Sequence, residues 1–377
     1  MQLEGIFPDA TTFVCGLKAC GLLQDVGAGQ RLHIEIARQG ASKTDVEISN
    51  ALIDMYSKCG ELTMAQEVFD SLKVRNLVSW NSLMTCYNEQ GHEEQALASY
   101  ELMLCTGLVP NSVTFICVLK ACSSVGIPYE GQMIHAHIVK TGLLYKHNGF
   151  VGNAIINLYA KCGTLAIARE VFDTLPKRDV VSWNVLIAGY AQHRYGQNAL
   201  TCFNQMQLEG IFPDATTFVC GLKACGLLQD VGAGQRLHID IARQGASKTD
   251  VEISNALIDM YSKCGELTMA QEVFDSLKVR NLVSWNSLMT CYMEQGHEEQ
   301  ALASYELMLC TGLVPNSVTF ICVLKACSSV GIPYEGQMIH AHIVKTGLLE
   351  SDCFIETTLV DMYLKCLGIQ AAEKNLQ

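Results

Sequence analysis

The chain has 377 residues, 49% of them apolar and 17% charged, with a formal net charge of −12, which is enough apolar surface for a core and too little charge for general disorder. The acidity excludes a protein that holds nucleic acid by a global excess of Lys and Arg, and no apolar run approaches the roughly 18 residues of a membrane-spanning helix. The 18 cysteines recur at fixed positions of a repeat, as in Ala160-Lys161-Cys162-Gly163 and Leu119-Lys120-Ala121-Cys122, and read as reduced, buried, small hydrophobes rather than as disulfides.

Self-similarity sets the frame. Residues 1–144 recur as residues 206–349 and differ only at Glu35 against Asp240 and Asn88 against Met293. A shorter period runs inside this duplication. Its landmarks cut the chain into a partial module 1–9, then 10–45, 46–76, 77–111, 112–148, 149–179, 180–214, 215–250, 251–281, 282–316 and 317–352, and a partial module 353–377. The first six whole modules have lengths 36, 31, 35, 37, 31 and 35, which fill the 205-residue offset of the duplication, so two whole triads of long, short and standard modules were copied in register.

Each module carries two stretches of apolar residues at three- and four-residue spacing. In module 46–76 these are Ala51, Leu52, Met55 and Tyr56, then Leu62, Ala65, Val68, Phe69 and Leu72, a pattern that predicts helix, turn, helix. Gly60, Gly163 and Gly265 fall in the turns, and Pro8, Pro110, Pro213 and Pro315 fall near module ends, where helices stop. Ala65, Ala168 and Ala199 share one site on the second helix, where a small side chain permits close approach. The expected fold class is all-α: a right-handed α-solenoid, or superhelix, of stacked helix-turn-helix repeats with no sheet.

The strings Met55-Tyr56-Ser57-Lys58-Cys59-Gly60, Ala168-Arg169-Glu170-Val171-Phe172-Asp173, Asp179-Val180-Val181-Ser182-Trp183-Asn184 and Ile134-His135-Ala136-His137 resemble the modules of plant pentatricopeptide-repeat proteins. The resemblance is to the PLS subfamily, built from standard, long and short modules, and it covers essentially the whole chain. A tetratricopeptide array, another helical-pair scaffold with a period near 34 residues, would use Trp183, Tyr190, Ala199 and Phe203. It does not explain the alternating lengths or the polar residue that recurs on an otherwise apolar first helix.

That residue is asparagine, at Asn50, Asn81, Asn153, Asn184, Asn255 and Asn286, fifth in each short or standard module; the same modules end in Asn76, Asn111, Asp179, Asp214, Asn281 and Asn316. A module end lies beside the next first helix, so two hydrogen-bonding side chains converge once per module. An amide with donor and acceptor beside a second amide or a carboxylate can distinguish the Watson–Crick edges of unstacked bases. Taken singly, Asn50 or Asn153 reads as a helix cap or turn residue; the repetition with a paired partner favours a base reader.

The resemblance implies single-stranded RNA binding at one base per module. Asn153/Asp179 and Asn184/Asp214 then imply uridine, and the four Asn/Asn pairs a pyrimidine. The target read 5′ to 3′ over modules 46–316 becomes pyrimidine-pyrimidine-any-U-U-any-pyrimidine-pyrimidine. Val14, Ile116, Val219 and Ile321 hold the first site of the long modules, whose readout is open. Val78, Phe150, Val181 and Val283 stand where the family clamps bases, whereas Glu47 and Glu252 depart from that pattern; Lys58, Lys161 and Lys263 are the candidate contacts to the RNA backbone.

The acidity is unevenly placed. Over residues 10–214 the first 13 residues of each module carry four lysines against three acids, and the remaining 127 residues carry 11 basic and 15 acidic groups, so weak, salt-sensitive binding is expected.

Chemistry of its own is not expected, and neither is a cofactor or metal. His33-Ile34-Glu35 matches half of a zinc-deaminase signature by letters only, its copy reads His238-Ile239-Asp240, and no two cysteines lie three apart. The resemblance implies a non-catalytic recognition factor in organellar RNA processing or C-to-U editing, for which a deaminase would be supplied by a partner in trans or by a C-terminal extension, with no DNA or membrane partner. The compartment it implies is the mitochondrion or chloroplast. Met1 aligns with the internal Met206 and Leu367-Gly368 breaks the last module's pattern, so the chain is expected to start inside a module, without a visible transit peptide. A protein-interaction scaffold or truncated paralogue without RNA binding is the alternative, favoured by the acidity, Glu47 and Glu252, and the broken ends.

Overall fold

The computed structural model describes residues 8–40, 46–145, 149–245, 251–350 and 352–376. Residues 1–7 of the partial first module, the closing residues of modules 10–45, 112–148 and 215–250, Ser351 and Gln377 lie outside the described residues. Among the described residues every regular element is a helix, the class that the periodicity predicts. The chain divides into two compact units, 1–189 and 190–377.

The first unit contains α1 (Ala10–Leu23), α2 (Val26–Arg38), α3 (Val46–Lys58), α4 (Leu62–Ser71), α5 (Leu77–Glu89), α6 (Glu93–Cys105), α7 (Ser112–Val125), α8 (Pro128–Thr141), α9 (Phe150–Lys161), α10 (Leu165–Thr174) and most of α11 (Val180–Gln192). Helix α1 packs on α3, α3 on α5, α5 on α7 and α7 on α9, so the first helices form one layer. Each of α2, α4, α6 and α8 touches its own first helix and the next one.

The second unit repeats this plan. It contains α12 (Gly196–Leu208), α13 (Ala215–Leu228), α14 (Val231–Arg243), α15 (Val251–Lys263), α16 (Leu267–Ser276), α17 (Leu282–Glu294), α18 (Glu298–Cys310), α19 (Ser317–Val330), α20 (Pro333–Thr346) and α21 (Cys353–Leu376). Helices α13, α15, α17, α19 and α21 pack in succession. Where the pattern changes to Cys366-Leu367-Gly368, α21 runs on through the position at which the other short modules turn.

Three local devices make these pairs. Gly60, Gly163 and Gly265 take φ of +79°, +76° and +80°, a left-handed conformation that costs other residues about 1 kcal/mol, so the Lys-Cys-Gly turn reverses the chain without strain. Phe69, Phe172 and Phe274 of the second helix meet Trp80, Trp183 and Trp285 of the next first helix edge to face, with centroids 4.8, 4.5 and 4.8 Å apart, an arrangement favoured by the ring quadrupoles. Ala65, Ala168 and Ala199 are fully buried, as a close-approach site requires.

Glycines at other crossings were not singled out by the sequence reading. On α2, α8, α14 and α20 a Cβ at Gly29, Gly131, Gly234 or Gly336 would intrude on Met55, Leu158, Met260 or Met362.

The two differences between the duplicated copies are local. Glu35 and Asp240 each keep an ion pair, to Arg38 at 3.7 Å and Arg243 at 3.5 Å. The buried Asn88 donates to the Cys117 carbonyl at 2.9 Å, and its counterpart Met293 has no donor to give.

Cysteine burial departs from expectation in part. Cys20, Cys86, Cys117, Cys122, Cys202, Cys220, Cys225, Cys291, Cys322, Cys327 and Cys366 are buried, but Cys15, Cys105, Cys310 and Cys353 are exposed. Cys105 and Cys310 are the last residues of α6 and α18, and Cys353 is the first of α21, ends at which the packed face is lost. Burial pushes the thiols of Cys122, Cys225 and Cys327 up to about 12.

Two outcomes follow from this packing. A Cβ at Gly189 would lie 2.6 Å from the Ala160 Cβ and 3.5 Å from the Ala160 backbone, with no flexible atom to yield. Gly189→Ala should therefore lower stability by about 1–3 kcal/mol, outweighing the roughly 1 kcal/mol gain in helix propensity, as urea unfolding followed by circular dichroism will show. The second outcome concerns alkali. Unfolded thiols ionise near 9, whereas buried Cys122, Cys225 and Cys327 stay protonated up to about 12. The unfolded chain then binds fewer protons, so the melting temperature should fall as pH rises above about 9.

Candidate nucleic-acid interface

The first-site asparagines sit inside the first helices. Asn50 is on α3, Asn81 on α5, Asn153 on α9, Asn184 on α11, Asn255 on α15 and Asn286 on α17. All are buried except Asn50, which is half-buried. None is a helix cap, so the cap reading of Asn50 and Asn153 taken singly is replaced by an interior position.

The caps are the second-site residues. Asn76 starts α5, Asn111 starts α7, Asp214 starts α13, Asn281 starts α17 and Asn316 starts α19. Asn76 Oδ1 accepts the Ser79 backbone N–H at 2.9 Å and Asn111 Oδ1 accepts that of Thr114 at 3.0 Å. Asp179 Oδ1 accepts that of Ser182 at 2.8 Å and Asp214 Oδ1 that of Thr217 at 2.9 Å. The Ser or Thr side chain reciprocates, accepting the cap residue's own N–H, at 3.3 Å for Asn76 and 2.8 Å for Asp179. This reciprocal box satisfies two amides that a helix start leaves unpaired. Its signal was present in the sequence as Asn or Asp followed three residues later by Ser or Thr, and the hydroxyl residues were not singled out.

The cap also orients the second-site side chain. A backbone N–H demands an acceptor, so Oδ1 must face the helix whether the residue is Asn or Asp. The other terminal atom is therefore an NH2 donor in Asn76, Asn111, Asn281 and Asn316 and a carboxylate acceptor in Asp179 and Asp214. For Asp179, burial raises the pKa, but hydrogen bonds from the Ser182 backbone and hydroxyl and from Asn153 prevail and hold it below its ordinary value, so the acceptor is present at neutral pH.

The two sites meet wherever both lie in one unit. Asn50 Nδ2 donates to Asn76 Oδ1 at 3.5 Å, Asn81 to Asn111 at 3.3 Å, Asn255 to Asn281 at 3.4 Å and Asn286 to Asn316 at 3.2 Å. Asn153 donates to the Asp179 carboxylate. Asn184 lies in the first unit and Asp214 in the second.

Around these pairs the surface is apolar where few apolar side chains are expected. Val78, Phe150, Val181 and Val283 are 55%, 66%, 53% and 56% exposed. Val113, Val318 and Phe354 hold the same second position of their modules and are exposed as well; the sequence reading did not name them. Glu47 and Glu252 put an exposed carboxylate there instead. A cleft of about 520 Å³ beside the first pair is lined by Val14, Lys18, Glu47, Asn50, Asn76 and Val78. Val14, Ile116, Val219 and Ile321 are half-buried and bring no polar group.

Of the candidate backbone contacts, Lys58 and Lys263 are exposed but ion-paired to Asp54 and Asp259 at 2.7 Å in both cases. Lys161 is exposed and has Asn157 in the corresponding place. The histidines lie elsewhere: His33 Nδ1 is 2.9 Å from the Tyr56 hydroxyl, His135 Nδ1 3.1 Å from that of Tyr159 and His137 Nδ1 3.1 Å from that of Tyr100. Burial pushes the pKa of His33 and His135 down.

Known proteins share this sequence pattern and fold. The model of the PPR repeat family matches residues 75–124, 178–226 and 280–329, and that of the PPR repeat matches residues 48–77 and 253–282, together more than half of the chain. A chloroplastic pentatricopeptide repeat-containing protein of Arabidopsis thaliana is 32% identical over 97% of this chain and 42% of its own length. A mitochondrial one from the same plant is 32% identical over 99% of this chain and 48% of its own length. The chain thus spans about half the length of such relatives. Among solved structures, the pentatricopeptide repeat protein PPR10 in complex with an 18-nt psaJ RNA element superposes with a TM-score of 0.72 over 95% of this chain and 52% of that one, at 18% identity. By these matches and by the repeated helical pairs that carry them, the chain belongs to the pentatricopeptide-repeat family.

Proposed function

We propose that the chain binds single-stranded RNA in a plant organelle, one base to each short or standard module, and serves as the recognition element of an RNA-processing or C-to-U editing step. The observation that carries this reading is the recurring pair of carboxamides, or carboxamide and carboxylate, held in contact in modules 46–76, 77–111, 149–179, 251–281 and 282–316, with exposed valine or phenylalanine on the same first helices or the next. An unstacked base laid against Val78, Phe150, Val181 or Val283 presents its Watson–Crick edge to such a pair. The apolar side chain supports its face and the pair reads its edge.

The atom that the cap leaves over decides the base. Asp179 and Asp214 present an acceptor, which suits the N3–H donor of uracil; Asn76, Asn111, Asn281 and Asn316 present a donor, which suits the N3 acceptor of cytosine or a uracil carbonyl. This supports U-U at the centre of a pyrimidine-rich target. The organellar setting rests on the chloroplastic and mitochondrial names of the relatives. Conversion of a base falls to a deaminase-bearing protein acting in trans, since the pairs described here bind and do no bond-breaking chemistry.

The test exploits the cap. Asp179→Asn with Asp214→Asn keeps an Oδ1 for each helix start and exchanges only the leftover acceptor for a donor. The double variant should fold and melt like wild type, while its preference at the two central positions moves from U-U towards C-C by about tenfold per base, the scale of one good edge contact. Titrations with oligonucleotides differing only at those positions, at one salt concentration, measure it. An unchanged preference in a protein that still binds RNA would remove the base-reading role of this pair.

A further inference from the structure

Two modules with the same Asn/Asn pair are not held alike, and the difference comes from the hydroxyl of the next helix. In standard modules Thr114 Oγ1 donates to Asn81 Oδ1 at 2.8 Å, and Thr319 Oγ1 to Asn286 Oδ1 at 2.8 Å. Each of these asparagines is thus fixed at both ends, its Nδ2 given to Asn111 or Asn316 at 3.3 or 3.2 Å. Each hydroxyl has one proton, and its alternative acceptor, the cap oxygen, is farther off at 3.1 or 3.0 Å.

In the short modules the hydroxyl belongs to serine and goes to the cap instead. Ser79 Oγ donates to Asn76 Oδ1 at 3.0 Å, Ser182 Oγ to Asp179 Oδ1 at 2.7 Å and Ser284 Oγ to Asn281 Oδ1 at 2.9 Å. The carbonyl oxygens of Asn50, Asn153 and Asn255 are left buried without a hydrogen-bond partner. Asn153 belongs to the triad that is not duplicated, so the arrangement does not merely repeat with the copied sequence. The remaining hold on Asn50 and Asn255 is the longer contact, 3.5 or 3.4 Å.

An amide pinned at both ends offers a base one fixed donor. An amide pinned at one end, with a buried acceptor that lacks a donor, gains by turning that oxygen to any base able to donate, because an unsatisfied buried carbonyl is costly. We propose that Thr114 and Thr319 are specificity-positioning residues: they make the standard modules stringent readers, and their serine counterparts leave the short modules permissive, although the two reading side chains are identical. This rests on the base-reading proposal above and adds a third residue to it, one that need not touch RNA.

The test separates positioning from capping, because the hydroxyls after both kinds of module serve the cap and only the one that follows a standard module reaches the asparagine. Single-stranded oligonucleotides of the pyrimidine target are varied to A, C, G or U at the base facing one module, and the spread of dissociation constants is measured at one salt concentration. In Thr114→Val the spread facing module 77–111 should narrow by about fivefold to tenfold, the scale of one hydrogen bond. Ser79→Ala should leave the spread facing module 46–76 unchanged, and Thr114→Ser should keep the wild-type spread. Thr319→Val, read against module 282–316, repeats the measurement if Thr114→Val does not fold by circular dichroism. A wild-type spread retained in the valine variants, or an equal narrowing in Ser79→Ala, overturns the inference alone. A wild-type protein with no spread at module 77–111 overturns base reading and this inference together.

Discussion

The structure depends on the start of the first helix. A helix leaves its first N–H groups without partners, and after each short or standard module the preceding residue, Asn or Asp, supplies the missing acceptor. Loss of such a cap costs about 0.5–2 kcal/mol. Multiplied along an array in which each pair packs only on its neighbours, that cost makes the residue type at module ends a folding requirement. The same requirement turns one atom of the side chain inward and leaves the other for chemistry, so Asn and Asp are interchangeable for the helix and opposite for a ligand.

Charge has a small part in the proposed mode of binding. Lys58 and Lys263 are neutralised by Asp54 and Asp259 on their own helices, and such exposed i,i+4 pairs contribute little stability. What the surface offers instead is exposed valine and phenylalanine beside polar pairs. A net charge of −12 is compatible with that mode because stacking and edge contacts do not scale with the count of lysines.

Much of this was legible in the residues. The two apolar stretches per module, the Gly60 turn and the buried alanines at Ala65, Ala168 and Ala199 follow from spacing that one helix face imposes. The meeting of Asn50 with Asn76 and of Asn81 with Asn111 was expected, because a module end must lie beside the next first helix. The division of labour between them was not, since cap or interior depends on where a helix starts to within one residue, the least certain feature of any pattern. The glycines facing Met55 and Leu158 were equally hidden, because close approach depends on how two helices cross and not on either pattern alone. Which hydroxyl reaches which carbonyl depends on the offset between successive first helices. That offset differs between modules of 31 and 35 residues and becomes visible only in three dimensions.

The central claim is that module ends which cap helices also read bases. Its most direct measurement is selection of a randomised single-stranded RNA pool on the purified chain, followed by sequencing of the bound fraction. The account predicts a single enriched register of pyrimidine-pyrimidine-any-U-U-any-pyrimidine-pyrimidine. A bound pool with the base composition of the input would contradict it.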